Sequence, residues 1–530
     1  MTHSGAPSSF RSLVYSVSLA ALLAGPAGLA TTAAAGSECK DLAALKVADT
    51  NIKSAEVVAA GAFTPSDGSG GGRGGRGGRS PFANLPAFCR VVASLHPTSD
   101  SDIGIELWLP ASGWNGKFQA IGQGGLAGNI PYGEMADALA AHYATSGTDT
   151  GHLGSSAEFA IGHPEKLIDL AYRAFHELAG KSKTLIAVHY GKAPDRSYFN
   201  GCSGGGRHGI TSAQRYPTDF DGIIAGASSW NQPRMDAARI AVNRFINRSP
   251  ESRLPPEKFP MVHEAVLKAC DMLDGVKDGI IENPTRCAFD LKTIECKGAD
   301  GPSCLTPAQV ESAQALITPL RHPKTGEVLF EGHLWPGAEL SWGTLSSPVP
   351  PGNVMTRMSN IVFKNPNWDI NQFNVETDVE LADKLDGGLL RSNNYDLRPF
   401  FSRGGKLIMW HGWIDPQVTP QASIIYYSKV RETVGRDADN SIALFMLPGV
   451  AHCSGGPGPD TFDRMTSLEA WVERGQKPTR IVASKLADGK VTRTRPLCPY
   501  GQVSKWNGTG NTDDAASFAC VAESTNIDGK

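Results

Sequence analysis

The sequence predicts an α/β fold: a parallel sheet flanked by helices and interrupted by one long insertion. Three observations predict it. Short apolar runs bounded by turn residues alternate with segments of helical spacing between residues 103 and 229. The rhythm stops between about 230 and 399, a stretch rich in proline and tryptophan that holds four cysteines. It then resumes with two buried-strand runs at 405–412 and 441–449 and an amphipathic helix at 461–475.

The elements follow in order. IGIELWLP (103–110) and KFQAIGQGG (117–125) read as strands ending in turns. KLIDLAYRAFHELAG (166–180) carries apolar residues at helical spacing. RSYFNGCSGG (196–205) is a strand running into a glycine-rich turn, HGITSAQRYP (208–217) a helix, and DGIIAGASS (221–229) the next strand. At 530 residues the chain is long for one core. It divides into a sheet domain made of 36–229 and 400–530 and a lid domain at 230–399.

Composition narrows the function. Charged residues are 19%, hydrophobic residues 41% and the formal net charge is -3, so neither nucleic acid nor a membrane is expected as partner. Residues 1–35 read as an export signal: basic Arg11, a short apolar run Leu13–Leu23, and small residues Ala33, Ala34 and Ala35 for cleavage. The apolar run falls short of the ~20 residues a membrane span needs. Residues 67–79, DGSGGGRGGRGGR, read as a flexible surface loop rather than an RNA-binding tract, since three arginines stand there without aromatics. All 10 cysteines follow the export signal, and no C-x-x-C pair occurs, which favours disulfides over zinc. Their order suggests local pairs, Cys39–Cys89, Cys270–Cys287, Cys296–Cys304 and Cys498–Cys520, which leaves Cys202 and Cys453.

Gly201-Cys202-Ser203-Gly204-Gly205 fits G-x-S-x-G between a strand and a helix. Such a turn presents a serine hydroxyl at the tip of a sheet and points the next N–H, that of Gly204, at a developing oxyanion. An α/β-hydrolase then needs an acid and a histidine, in that order, after later strands. Asp415 follows the run at 405–412 and His452 the run at 441–449. His411 precedes the acid and reads as a packing or hydrogen-bonding residue. Cys202 and Cys453 flank the candidate serine and histidine; bonded, they would tie the two loops together. Asp271, Asp274 and Asp278 lie within eight residues of CDMLDGVKDGIIENP. Their oxygens suit Ca²⁺, although the spacing is not that of an EF-hand, and a solvated acidic turn is the alternative.

GCSGGGRHG, HGWIDPQ and AHCSGGPGPD together resemble the tannase/feruloyl esterase family, and the resemblance runs from about Cys39 to Cys520. It implies an α/β-hydrolase sheet with a large inserted lid domain, and a serine esterase with Ser203 as nucleophile, His452 as base and Asp415 as acid. It implies a Cys202–Cys453 disulfide beside that triad. A structural calcium in the lid is implied too, on the aspartates and on carbonyls matching Val276 and Ile280. The second oxyanion donor is expected from IGQGGLAG, at Gly125 with Gly124 close behind. No organic cofactor is expected. The implied substrate is a small aromatic ester, feruloyl, hydroxycinnamoyl or galloyl, or in one branch a terephthalate monoester. Trp230, Trp335, Trp342 and Trp368 could line the acyl pocket, though most are expected in the lid core. A peptidase or lipase on the same fold, or a non-catalytic binding protein, are the rival readings.

Overall fold

A computed structural model describes residues 36–65, 82–126, 128–384 and 388–523, together with Met1. The segment expected to be an export signal, from residue 2 to 35, and residues 67–79, expected to form a surface loop, lie outside the described residues.

A nine-stranded sheet forms the centre, in the order β1-β2-β3-β5-β4-β6-β7-β10-β11. Its strands are β1 (Thr50–Val58), β2 (Phe88–Leu95), β3 (Ile103–Pro110), β4 (Lys117–Ile121), β5 (Ala144–Thr148), β6 (Arg196–Cys202) and β7 (Gly222–Gly226). After the insertion, which carries the small hairpin β8 (Leu320–Arg321) and β9 (Val328–Phe330), come β10 (Lys406–Gly412) and β11 (Ile442–Leu447). The sheet is mixed, which corrects the expectation of a parallel one. β1, β2, β3 and β5 pair antiparallel, and only the run from β5 through β11 is parallel. The first two strands precede any strand the sequence announced.

Alternation along the strands builds two cores. Leu407 and Met409 of β10 and Ile442, Leu444 and Met446 of β11 enter one face with Phe118, Phe175 and Phe199. Ile408, Trp410, Ala443, Phe445 and Leu447 enter the other with Trp108, Tyr198 and Trp471. A strand covered on both faces must read as one apolar run, and KLIMWHG and IALFML do.

The helix read at 166–180 is broken and longer. A helix Pro164–Ile168 passes through a π-turn, Asp169–Arg173, into a second helix, Ala174–Tyr190. Between β7 and β10 the chain is mostly helical, with helices Gln232–Ile246, Phe259–Cys270, Pro307–Ile317 and Val375–Lys384. These pack on one another around Val262, Val310, Leu316 and Trp342, and around Ile240, Met358 and Val379. The helix Arg464–Arg474 lies beside β7 and β10, burying Leu468 and Trp471. The C-terminal strands β12 (Thr461–Phe462), β13 (Ile481–Ala487) and β14 (Lys490–Leu497) form a small antiparallel sheet, and β15 (Gln502–Trp506) pairs with β16 (Phe518–Ala522).

Among the described residues no helix is long and apolar enough to cross a membrane.

Candidate active site

β6 ends at Cys202, and the helix Gly204–Arg215 begins two residues on. Ser203 must make the turn alone, with φ 63° and ψ -122°. A non-glycine residue there costs on the order of 1–3 kcal/mol and persists only where its surroundings enforce it. Enforcement comes from Ser203 N–H, which donates to Gly226 O at 2.9 Å, and Arg207 N–H, which donates to Ser203 O at 3.0 Å. The glycines permit the crowding. A Cβ on Gly204 would stand 2.8 Å from both N and O of Gly125. The loop after β4 is therefore pressed against the turn, and the structure brings Gly125 (φ +61°) and Gly204 side by side. As the first helical residue, Gly204 has no acceptor for its N–H inside the helix. His152 holds the same loop through Nε2, 2.8 Å from Leu126 O.

Asp415 stands in the loop after β10 and His452 in the loop after β11. The two loops cross at Gly412, where a Cβ would lie 2.2 Å from Val450 O and 2.5 Å from Ala451 O. The crossing seats the imidazole between acid and serine. His452 Nδ1 is 2.7 Å from Asp415 Oδ2, and His452 Nε2 is 2.8 Å from Ser203 Oγ. Asp415 is 1% exposed, and burial pushes its carboxyl up. The His452 charge and the hydrogen bonds from His411 and His452 outweigh burial and hold it well below the usual carboxylate range. An ionised Asp415 can only accept, so Nδ1 bears a hydrogen, and in the neutral form of the ring Nε2 offers a lone pair to the serine hydroxyl.

Cys202 and Cys453 are bonded, with their Cα atoms 6.1 Å apart and 251 residues between them in sequence. The neighbours of serine and histidine are thereby linked covalently. The other cysteines pair as their order suggested: Cys39–Cys89, Cys270–Cys287, Cys296–Cys304 and Cys498–Cys520.

Asp271 accepts from the N–H groups of Asp278 and Gly279, and Asp274 from that of Val276. Asp278 pairs with Arg495 and, at 3.5 Å, with Arg493. Burial, then the charges of Asp278 and Asp271, push Asp274 up to about 6 against the pull of the Val276 N–H. The oxygen-only donor set suits a hard cation, which would relieve that repulsion. Among the described residues, however, no three His, Cys, Asp or Glu side chains converge on one point that could hold a metal ion.

The insertion's tryptophans are mostly packing residues. Trp342 and Trp230 are buried in cores, and Trp368 stacks on Phe363 at 4.5 Å. Trp335 meets Trp413 edge-on at 5.8 Å, two residues before Asp415, and so joins the insertion to the acid's loop.

Comparison with known proteins places the chain in a family. The family described as tannase and feruloyl esterase matches residues 89–521. An uncharacterized esterase of Xanthomonas campestris pv. campestris is 37% identical over 94% of this chain and 94% of its own length. A probable feruloyl esterase B-2 of Neosartorya fischeri is 33% identical over 82% of this chain and 86% of its own. The crystal structure of feruloyl esterase B from Aspergillus oryzae superposes with a TM-score of 0.83 at 30% identity, covering 91% of this chain and 99% of that one. The chain belongs to the tannase and feruloyl esterase family of carboxylic ester hydrolases, on an α/β-hydrolase fold.

Proposed function

We propose that this chain is an exported serine esterase that hydrolyses aromatic carboxylic esters, feruloyl and other hydroxycinnamoyl or galloyl, through an acyl-enzyme on Ser203. The observation that carries the reading is the unbroken line from Asp415 Oδ2 through His452 to Ser203 Oγ, at 2.7 and 2.8 Å.

In the first step Ser203 Oγ attacks the ester carbonyl while its proton passes to His452 Nε2. Asp415 stabilises the imidazolium that forms. The carbonyl oxygen, now negative, takes the N–H groups of Gly204 and Gly125, each such donor being worth about 2.7–4 kcal/mol. His452 returns the proton to the departing alcohol. Water then attacks the acyl carbonyl and loses a proton to the same nitrogen; the bond to Ser203 Oγ breaks, the acid leaves, and His452 returns the proton to Oγ. Every step uses groups already in place, so little reorganisation is needed at the moment of reaction.

The aromatic acyl preference rests on the feruloyl esterases and tannases among the relatives. A panel of methyl ferulate, methyl gallate, a terephthalate monoester, p-nitrophenyl acetate and a peptide tests it. The ferulate or gallate ester should be cleaved with the highest kcat/KM. Preference for the terephthalate monoester would move the chain to that branch, and preference for the peptide would refute the reading. Export is supported by the leader-like first 35 residues and by five disulfides. Cell fractionation of the producing organism should find the mature protein outside the cytoplasm.

A structural calcium belongs to the same proposal, on Asp271, Asp274 and Asp278 and the carbonyls of Val276 and Ile280. Three mutually repelling carboxylates on one loop support it. Chelation should lower the Tm, and Asp274→Ala should remove that response. Equilibrium dialysis showing no bound calcium would refute it.

A further inference from the structure

The line of hydrogen bonds does not stop at Asp415. On the far side of the carboxylate stands His411, the penultimate residue of β10 and wholly buried. Its Nε2 lies 3.1 Å from Asp415 Oδ2, the oxygen that His452 uses, and 3.0 Å from the carbonyl of Val418. Its Nδ1 lies 2.8 Å from Ser423 Oγ, which is also buried. The acid thus sits between two imidazoles.

The partners fix the protonation of the ring. Nε2 faces two oxygens that can only accept, the ionised Asp415 and a carbonyl, so Nε2 bears a hydrogen. Ser423 can donate its hydroxyl hydrogen to Nδ1, which makes the neutral ring complete as it stands. Asp415 then receives four hydrogens. Two come to Oδ1 from the backbone N–H groups of Gln417 and Val418, at 2.7 and 2.9 Å, and two to Oδ2 from the imidazoles. Two donors crowd Oδ2, so its position relative to His452 depends on where His411 stands. Val418 O anchors the His411 N–H to the same turn that supplies the Oδ1 donors.

We infer that His411 is a positioning residue: through its Nε2–H it fixes the rotation of the Asp415 carboxylate and thereby the aim of His452 at Ser203. It touches neither substrate nor serine. The inference rests on the Ser203–His452–Asp415 reading, and the two can fail separately.

Two amides test it. The side-chain N–H of glutamine reaches about where Nε2 stands, whereas asparagine reaches only Nδ1. His411→Gln should therefore retain at least about a third of the wild-type kcat. His411→Asn should lose kcat by up to about 100-fold, the penalty of a misplacement of roughly 1 Å, with KM within about twofold. A merely structural histidine would show no such ranking, because both amides leave similar polarity in the core. Equal kcat for both variants and wild type would overturn the inference, as would a loss carried by KM. Should either variant fail to fold, ¹⁵N NMR of histidine-labelled wild-type protein decides. His411, assigned as the ring whose resonances shift in Ser423→Ala, should be protonated on Nε2 alone. A ring protonated on Nδ1 would overturn the inference. If Ser203→Ala still hydrolyses ester, the triad reading itself falls. If Ser203→Ala is dead and His411→Asn is not impaired, only the role of His411 falls.

Discussion

Asp415 and Asp149 occupy equivalent places and behave in opposite ways. Each lies just past the carboxyl end of a strand of the parallel run, β10 and β5, and each accepts two backbone N–H groups on Oδ1. For Asp415 these come from Gln417 and Val418; for Asp149 they come from Gly104 and Gly151, at 2.8 and 2.9 Å. The second oxygen differs. Asp415 Oδ2 meets two imidazoles, and the carboxyl is held far below its usual range. Among the described residues no hydrogen-bond donor faces Asp149 Oδ2, and burial pushes that carboxyl up to about 6 despite its two amides. Amides on one oxygen do not offset desolvation; imidazoles on the other do. Of the two carboxylates, only Asp415, which meets the histidines, has its charge stabilised by the fold.

Removing that charge is the largest perturbation. Asp415→Asn keeps the shape but offers His452 a donor or a neutral oxygen, so kcat should fall on the order of 10⁴-fold. A loss below about tenfold would put the orienting charge elsewhere. Next comes the covalent tie. Cys202→Ala with Cys453→Ala frees the two loops, and kcat should fall by about 10–100-fold. Far-UV circular dichroism should change little, and the Tm should fall, since such a bridge contributes about 2–5 kcal/mol. An unchanged kcat would show that non-covalent packing aims the histidine unaided.

The smallest effect is on the other aspartate. The pKa of Asp149 is higher in the folded state than the ordinary carboxylate value near 3.9, so the folded protein binds its proton more tightly. Its contribution to stability therefore rises as pH falls from about 6 toward 4, and the ionised form is destabilising above that window. Asp149→Asn should raise the Tm by a few degrees at pH 8 and leave it unchanged at pH 4. A lower Tm at pH 8 would show that the charge is needed there after all.

The order serine, acid, histidine was legible because the serine sits in a G-x-S-x-G turn and the acid and the histidine each follow a strand that reads as one apolar run. The contacts that finish the site were not, since ring orientation decides them: His411 lies four residues before Asp415, and nothing in HGWID says which nitrogen faces it. Two strands escaped the sequence reading for a related reason. Arg90 interrupts the apolar run of β2, and its charge is answered by Glu106 on β3, a partner only the fold supplies. Gly180 looked like a helix end, but Leu185 and Ile186 are buried beyond it and the helix runs on to Gly191, whose φ of 71° ends it. Packing outweighed a local stop signal worth about 1 kcal/mol. The insertion showed no strand–helix rhythm because its helices bury their apolar faces on one another rather than on a sheet.

The central claim is that Ser203 carries the acyl group. Wild-type protein mixed with methyl ferulate, quenched in acid within the first turnover and digested, should yield a feruloyl adduct on the peptide containing Ser203. The adduct should be absent from Ser203→Ala, which should also be inactive. Turnover of the ester by Ser203→Ala at the wild-type rate would contradict the account.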